Sequence, residues 1–266
     1  MRVGSLFSGI GGLDLGLERA GMEIVWQVEF EPFCQTVLRK HWSESEVYGD
    51  IKKIEDFGIL PGIDLICGGF PCQPISSAGR QRGSEDERWL WPEYLRAIRQ
   101  ARPGWVLAEN VPRLLSADNG RLMGGILRDL AGLGYDAEWC LLPTGIGHGH
   151  LRYRLFIVGH PQGDGLDLPR IFSRKHIKGY LRERGSLDPG EHDKETWAVP
   201  TAGNVRDVNG FVPGMDRYKA IGNAVVPDVA EWIGRRIMHV RNVQVGTDGQ
   251  DQEQKHQAGE GFQGKD

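Results

Sequence analysis

The sequence predicts an α/β protein built on a doubly wound, Rossmann-like sheet, and three observations carry that prediction. Short apolar runs alternate with helical periodicities along most of the chain, as in successive βα units. The run Val3–Phe7 passes through a glycine loop into an amphipathic helix. The stretch Asp64–Gly79, DLICGGFPCQPISSAG, reads as a buried strand, Leu65 to Cys67 bounded by Gly68 and Gly69, that opens into a cysteine-bearing loop.

In chain order, the first strand ends at Ser8-Gly9-Ile10-Gly11-Gly12, and the helix after it carries Leu13, Leu17 and Ala20 on one side. Glycines at such a turn let a ligand approach the backbone, and the helix N-terminus offers unpaired N–H groups to an anion. A dinucleotide fingerprint requires a third glycine at position 14. Asp14 stands there instead, which disfavours a pyrophosphate. Met22–Val28 is the second strand and runs into Glu29, twenty residues after Gly9. An acid at that offset is placed to accept from both ribose hydroxyls of an adenosine. Phe30 could stack on the adenine ring, and Asp50, after Val47 and Tyr48, could accept from the adenine amino group. An adenosine bound without a pyrophosphate points to S-adenosyl-L-methionine as cofactor.

In the central stretch, Pro71 and Pro74 stiffen the backbone around Cys72, as a rigidly aimed nucleophile requires. Cys34, Cys67 and Cys140 fit the role of small buried hydrophobes. No arginine follows Cys72 at the spacing of a phosphatase loop, and no paired C-x-x-C offers a metal or redox site. A helix is expected from about Glu87 to Ala101, with Leu90, Tyr94, Leu95 and Ile98 on one face. The strand Trp105–Ala108 then leads into Glu109-Asn110-Val111, with the acid just past the strand end. A helix over Asn119–Gly134 and a strand over Tyr135–Leu142 follow. The strand Arg154–Val158 is entered through His150-Leu151-Arg152-Tyr153, so Arg152 and Arg154 point the same way from an extended chain. From Gly159 to about Pro213 the hydrophobic period fades into glycine, proline and charge. Order returns over Arg217–Met238, where Ala230, Ile233 and Ile237 form a helical stripe just after Pro227.

The domain boundaries read as 1–159 for the catalytic domain, 160–213 for a short inserted region, 214–240 for a return to the first domain, and 241–266 for a tail. The tail has one aromatic and no hydrophobic period, and is expected to be disordered. It also explains the charge: Thr247–Asp266 holds five acids against two lysines, most of the net charge of −4. The opposite bias lies in Arg170–Arg184, where six basic residues face one glutamate and interleave with Phe172, His176 and Tyr180, a plausible phosphate-contacting surface. A chain of 266 residues, 39% hydrophobic, can bury one good core and a small second lobe. No apolar run approaches the roughly 20 residues that span a bilayer. No cleavable signal pattern precedes the first strand, and four unpatterned cysteines indicate a reducing compartment. The expected location is therefore the cytoplasm, with no membrane partner.

Taken together, these motifs resemble the bacterial and phage DNA (cytosine-5) methyltransferases, and they occur in that family's order. Phe7-Ser8-Gly9-Ile10-Gly11-Gly12 resembles the cofactor loop, Glu29 the ribose acid, and Phe30 the adenine-stacking aromatic. Asp50-Ile51 is similar to the adenine-contacting pair, Pro71-Cys72-Gln73 to the nucleophile motif, and Glu109-Asn110-Val111 to the base-recognition motif. Arg152-x-Arg154 resembles the end of a Gln-x-Arg-x-Arg element, with His150 where the family has glutamine. Gly222-Asn223-Ala224-Val225 resembles the C-terminal cofactor motif. Together they cover Met1–Gly159 and Arg217–Met238. No arginine-rich segment ending in a Leu-Gln-Gly-Phe-Pro run precedes Gly222, and the inserted target-recognition lobe is short.

The resemblance implies a methyltransferase sheet with a small inserted recognition lobe and methyl transfer from S-adenosyl-L-methionine to C5 of a flipped-out cytosine. Cys72 would attack C6, Glu109 would act at N3 and the exocyclic amine, and Arg154 would hold O2 with Arg152 beside it. The cofactor would lie on Phe7 to Gly12, Glu29, Phe30, Asp50, Ile51, Pro71, Asn223 and Ala224. Gln73, Ser76, Arg80, Arg82 and Arg88 fall in a glycine-hinged loop suited to close on DNA, and Arg174, Lys175 and Lys178 offer further phosphate contacts. No metal is expected. The partner is double-stranded DNA, acted on by a monomer that pairs functionally with a restriction endonuclease. Three rivals stand beside this reading: the same chemistry on an RNA cytosine, a nucleotide-dependent oxidoreductase, and a non-catalytic DNA-binding relative.

Overall fold

The computed structural model describes residues 1–71, 89–144, 152–161, 169–183 and 225–260. In chain order these form β1 (Arg2–Leu6), α1 (Gly12–Arg19), β2 (Glu23–Val28), α2 (Pro32–His41), β3 (Glu46–Tyr48), β4 (Leu65–Gly69), α3 (Trp91–Ala101) and β5 (Trp105–Asn110). They continue as α4 (Arg121–Gly132), β6 (Tyr135–Thr144), β7 (Arg152–Pro161), α5 (Arg174–Glu183) and α6 (Pro227–Glu260). The strands make one sheet in the order β3-β2-β1-β4-β5-β7-β6. β1 to β5 pair in parallel, and β7 runs antiparallel to both β5 and β6. The chain moves outward from β1 to β3 and then returns to β4 on the other side of β1. The carboxyl ends of β1 and β4 therefore flank a topological switch point, where open α/β sheets bind ligands.

Each face of the sheet buries one apolar cluster. On one side Trp26, Ile66, Phe70, Val106, Ala108 and Ile157 pack under Tyr94 and Ile98 of α3 and Ile126 and Leu130 of α4. On the other, Val3, Leu65, Leu107, Phe156 and Val158 pack under Leu13 and Leu17 of α1 and Val229, Ala230, Ile233 and Ile237 of α6. The α1–α6 contact depends on missing side chains. A Cβ on Gly16 would overlap the Pro227 carbonyl, and one on Gly234 would come 2.8 Å from the Ala20 methyl. A Cβ on Gly12 would overlap the Val225 carbonyl. The C-terminal return thus closes directly onto the glycine loop.

Several boundaries differ from expectation for local reasons. α3 begins at Trp91, with Pro92 in its first turn, rather than near Glu87; Trp89 and Leu90 precede it outside the helix. α4 begins at Arg121 because Asp118 and Asn119 both adopt positive φ and break the helix there. Glu109 is the penultimate residue of β5, not a residue beyond it. The basic segment forms α5, and Ile171 just before that helix and Tyr180 within it join the second core. α6 continues as helix to Glu260, into the tail expected to be disordered. That tail lacks an apolar stripe to pack, but its Gln, Glu and Lys residues are good helix formers, and composition alone does not report on local propensity.

Candidate active site

The glycine loop leaves β1 through Phe7, which holds a left-handed backbone at φ 52° and stacks on Tyr94 at 6.3 Å between ring centroids. Such a conformation is costly for a bulky residue and persists only where the surroundings fix it. The loop is pinned from below: Ser8 Oγ donates to Ser5 Oγ at 2.9 Å, and the Ser8 N–H donates to the Val28 carbonyl at 3.2 Å. Gly11 caps α1 at φ 84°, with no room for a side chain against Trp42. Gly9, at φ 56°, has open space where its Cβ would be.

Beside that open side lies Glu29, only 8% exposed. One of its oxygens accepts from the Gly9 N–H at 2.7 Å and the other from the Glu31 N–H at 2.8 Å. The carboxylate is thereby fixed in orientation, with lone pairs left for further donors. Phe30 is 67% exposed, so its ring face is available for stacking. Asp50 accepts from the Lys52 N–H at 3.0 Å and caps a short 3-10 turn, Ile51–Lys53. The Ile51 side chain is buried in the core, which leaves its backbone as the part that can meet a ligand. An open-sided glycine, a fixed acid and an exposed aromatic thus gather past the carboxyl ends of β1 and β2.

Across the switch point, Glu109 on β5 registers opposite Gly69 on β4 and Phe156 on β7. A Cβ on Gly69 would stand 2.7 Å from Glu109 Oε2 and displace the carboxylate. Arg154 donates from Nε to Glu109 Oε1 at 2.9 Å. Burial pushes the Glu109 carboxyl up to about 7, against the opposing pull of Arg154 and Arg152. Arg152 and Arg154 therefore act on one carboxylate, as the i, i+2 spacing expects. Burial and the neighbouring Arg154 in turn lower the Arg152 pKa. Thr144 donates to the Arg152 carbonyl at 3.0 Å and ties the ends of β6 and β7.

Two residues to which the sequence assigned no role organise this site. Asn110 is buried, donates to the Phe70 carbonyl at 3.0 Å and accepts from the Val111 N–H at 2.8 Å, so it fixes the chain just before Pro71. Arg96 on α3 donates to the Ile51 carbonyl at 2.9 Å and the Ile54 carbonyl at 2.7 Å, clamping the turn that follows Asp50. Asn110 was visible as part of a motif. Arg96 gave no sequence signal beyond its place on a helix.

Cys72, Gln73, Ser76, Arg80, Arg82, Arg88, His150, Leu151, Gly222, Asn223 and Ala224 lie outside the described residues. Arg174, Lys175 and Lys178 are exposed on α5. The aromatics interleaved with them turn inward: Phe172 and Tyr180 pack on Trp232, and the Tyr180 hydroxyl donates to the Pro143 carbonyl at 3.1 Å. They pack with the second core, while the basic side chains between them stay on the surface. Among the described residues, no cluster of His, Cys, Asp and Glu could hold a metal ion, and no helix is long and apolar enough to cross a membrane.

Residues 1–199 match the family described as C-5 cytosine-specific DNA methylase. The chain belongs to that family. By class it is a DNA (cytosine-5) methyltransferase, an enzyme that needs a methyl donor and acts on DNA. Its similarity extends to the Type II methyltransferase M.NgoMIV of Neisseria gonorrhoeae, at 30% identity over 87% of this chain and 95% of that protein. The Type II methyltransferase M.PspPI of a Psychrobacter species is 45% identical over 49% of this chain and 32% of its own length. The chain thus spans nearly all of one relative and about a third of the other. A solved structure described as a DNA modification methyltransferase encoded within a prophage of E. coli superposes with a TM-score of 0.62, covering 91% of this chain and 99% of that one. At 18% identity, that likeness establishes the fold.

Proposed function

We propose that this DNA methyltransferase takes its methyl group from S-adenosyl-L-methionine and places it on C5 of a cytosine turned out of a DNA duplex, through a covalent bond from Cys72 to C6. The observation that carries the reading is the Glu109–Arg154–Arg152 group on the ends of β5 and β7, facing Gly69 at the end of the strand that leads to Pro71 and Cys72.

The chemistry follows from the weakness of C5 as a nucleophile. The Cys72 thiolate adds to C6, which breaks the C5–C6 double bond and leaves an enamine with electron density on C5. Glu109, held near neutrality by burial, donates a proton or hydrogen bond at N3 and the exocyclic amine and so favours the adduct. Arg154 holds the base O2 while bridging to Glu109, and Arg152 supplies a second positive charge. When bound, the cofactor supplies an electrophilic methyl on a sulfonium. After C5 gains the methyl, it loses its proton to a base, and the electron pair returns to the ring as the C6–sulfur bond breaks. A base stacked in a duplex cannot reach these groups, so the target is extruded at a cost of a few kcal/mol.

For the cofactor, Glu29 would receive the ribose hydroxyls, Phe30 would stack on adenine, and Asp50 with Ile51 would meet its edge. The open side of Gly9 would admit the remainder, with Phe7, Ser8, Ile10, Gly11, Gly12, Pro71, Asn223 and Ala224 around it. Gln73, Ser76, Arg80, Arg82 and Arg88 would close over DNA, and Arg174, Lys175 and Lys178 would meet phosphates. We assign the chain to the cytoplasm, as a monomer serving beside a restriction endonuclease. Single-base methylation mapping of plasmid DNA from cells expressing the wild-type chain or Cys72→Ala tests the reading. Methylcytosine in one short sequence context, absent in the variant, is expected. Unmodified DNA from cells holding soluble, cofactor-binding wild-type protein would overturn DNA as substrate and favour RNA.

A further inference from the structure

Among the described residues, Asp14 is the one buried acid at the ligand end of the sheet that the mechanism above does not use. It is fully buried in the first turn of α1, where a dinucleotide fingerprint would carry its third glycine. Its Oδ2 accepts from Gln27 Nε2 at 3.0 Å, and its Oδ1 lies 4.0 Å from the Cys67 thiol. Ser5 also hydrogen-bonds it, and Ser5 Oγ receives the Ser8 hydroxyl, so polar contacts run from the carboxyl to the glycine loop. The charged groups acting on it, among the described residues, are two more acids, Glu18 and Glu29. Burial is the main reason its carboxyl rises to about 6, and at neutral pH and above it is ionised.

A helix N-terminus behind a glycine loop ordinarily presents a positive end, which is why such loops hold phosphates. Here Asp14 stands in that first turn, and Glu29 sits against the Gly9 N–H. Two buried carboxylates, Asp14 within that first turn and Glu29 on the Gly9 N–H, therefore oppose the positive end, and at low dielectric their field falls off slowly.

We propose that Asp14 sets the charge selectivity of the glycine loop, converting a helix N-terminus that would hold phosphate into a site that prefers an adenosine bearing positive charge and rejects adenosine phosphates. The inference rests on the adenosine reading above and names the residue that makes this loop differ from a dinucleotide site. S-adenosylmethionine and its demethylated product, S-adenosylhomocysteine, differ by one methyl group and the positive charge it places on sulfur, so the change in their affinity ratio on substitution of Asp14 reports on that charge.

Equilibrium binding of S-adenosylmethionine, S-adenosylhomocysteine and ADP would be measured at pH 8 on the wild-type chain, Asp14→Asn and Asp14→Ser. The expected result is that either variant lowers the methionine-to-homocysteine affinity ratio by about tenfold and strengthens ADP binding. An unchanged ratio in a variant that still melts cooperatively overturns the inference. Should neither variant fold, the same ratio is read on the wild-type chain as the pH falls through 6. The groups facing Asp14 are Ser5, Gln27, Cys67, Glu18 and Glu29, and the ratio must drop as Asp14 gains its proton. A flat ratio across that range overturns the inference as well. Failure of the wild-type chain to bind either adenosine overturns the adenosine reading itself, a result distinct from binding without charge preference.

Discussion

Arg154 reaches Glu109 across the β5–β7 pair with its Nε 2.9 Å from the carboxylate, and still leaves that carboxyl with a pKa of about 7. Burial therefore outweighs a direct ion pair, and it keeps an acid protonated at the pH where a cytosine would need a donor. A surface Glu–Arg pair at the same distance would do the reverse.

This balance has a measurable sign. The folded chain holds a proton on Glu109 up to about pH 7, whereas an unfolded chain releases it near the ordinary 4.5. The associated stability is fully present below the unfolded value and is lost as pH rises through the folded one, by about 3 kcal/mol in all. The melting temperature of the wild-type chain is expected to fall between about pH 5 and 8 relative to Glu109→Gln, which has no proton to lose. Parallel pH profiles would show that Glu109 is not carrying the proton. In methyl transfer, the same variant is expected to lose about 10²-fold or more in kcat.

Asn110 separates positioning from chemistry. Its amide ties the end of β5 to the Phe70 carbonyl, two residues before Cys72, and its oxygen accepts from the Val111 N–H. Asn110→Ala removes the tie and strands a buried carbonyl, costing about 1–3 kcal/mol of stability. The expected kinetic outcome is a drop in kcat with the cofactor dissociation constant within about twofold of wild type. Weakened cofactor binding at unchanged kcat would assign Asn110 to the other half of the site.

Arg96 makes the complementary case. Its guanidinium holds the Ile51 and Ile54 carbonyls and lies 5.2 Å from the Phe57 ring centroid. Lysine cannot reproduce that planar fork. Arg96→Lys is expected to raise the KM for cofactor by about tenfold while kcat holds, because the turn beyond Asp50 loosens and the base pocket does not. Equal loss in both constants would mean that the clamp supports the whole sheet end.

At Gly16 the test is of packing alone. Alanine is a better helix former than glycine, so on an exposed face Gly16→Ala would stabilise α1. Against Pro227 and Ala230 there is no space for the added methyl. The expected outcome is destabilisation by roughly 1–3 kcal/mol, read from denaturant midpoints. An increase in stability would mean that α1 and α6 separate without cost.

How far the sequence led depends on the range of the interaction. β1, β2, β4 and the glycine loop were legible because their signals are local: an apolar run, a turn that needs glycine, an acid at a fixed offset. Glu109 and the two arginines were legible as residues, but nothing local gave their ion pair or the pKa of about 7, which follow from β7 inserting between β5 and β6. Gly16 and Gly234 carried no turn signal, because their role is to meet each other's helices across more than two hundred residues. The basic segment was legible as a charged surface, but composition did not show that Phe172 and Tyr180 between its charges pack on Trp232.

That docking leaves Arg174, Lys178 and Arg182 in one exposed stripe, four residues apart on α5, with Lys175 beside them. Neutralising a phosphate contact removes about 0.9 from the slope of log K against log salt on duplex DNA. Arg174→Ala with Lys178→Ala is therefore expected to lower the slope by roughly 2 if both contact phosphate. The loss should be similar for DNA with and without the methylated sequence, because phosphates carry no sequence information. Tyr180→Phe is the control: it loses the hydrogen bond to the Pro143 carbonyl and some stability, but no charge, so its salt slope should match wild type. A double variant with an unaltered slope would place α5 away from the DNA and confine phosphate contact to other segments of the chain.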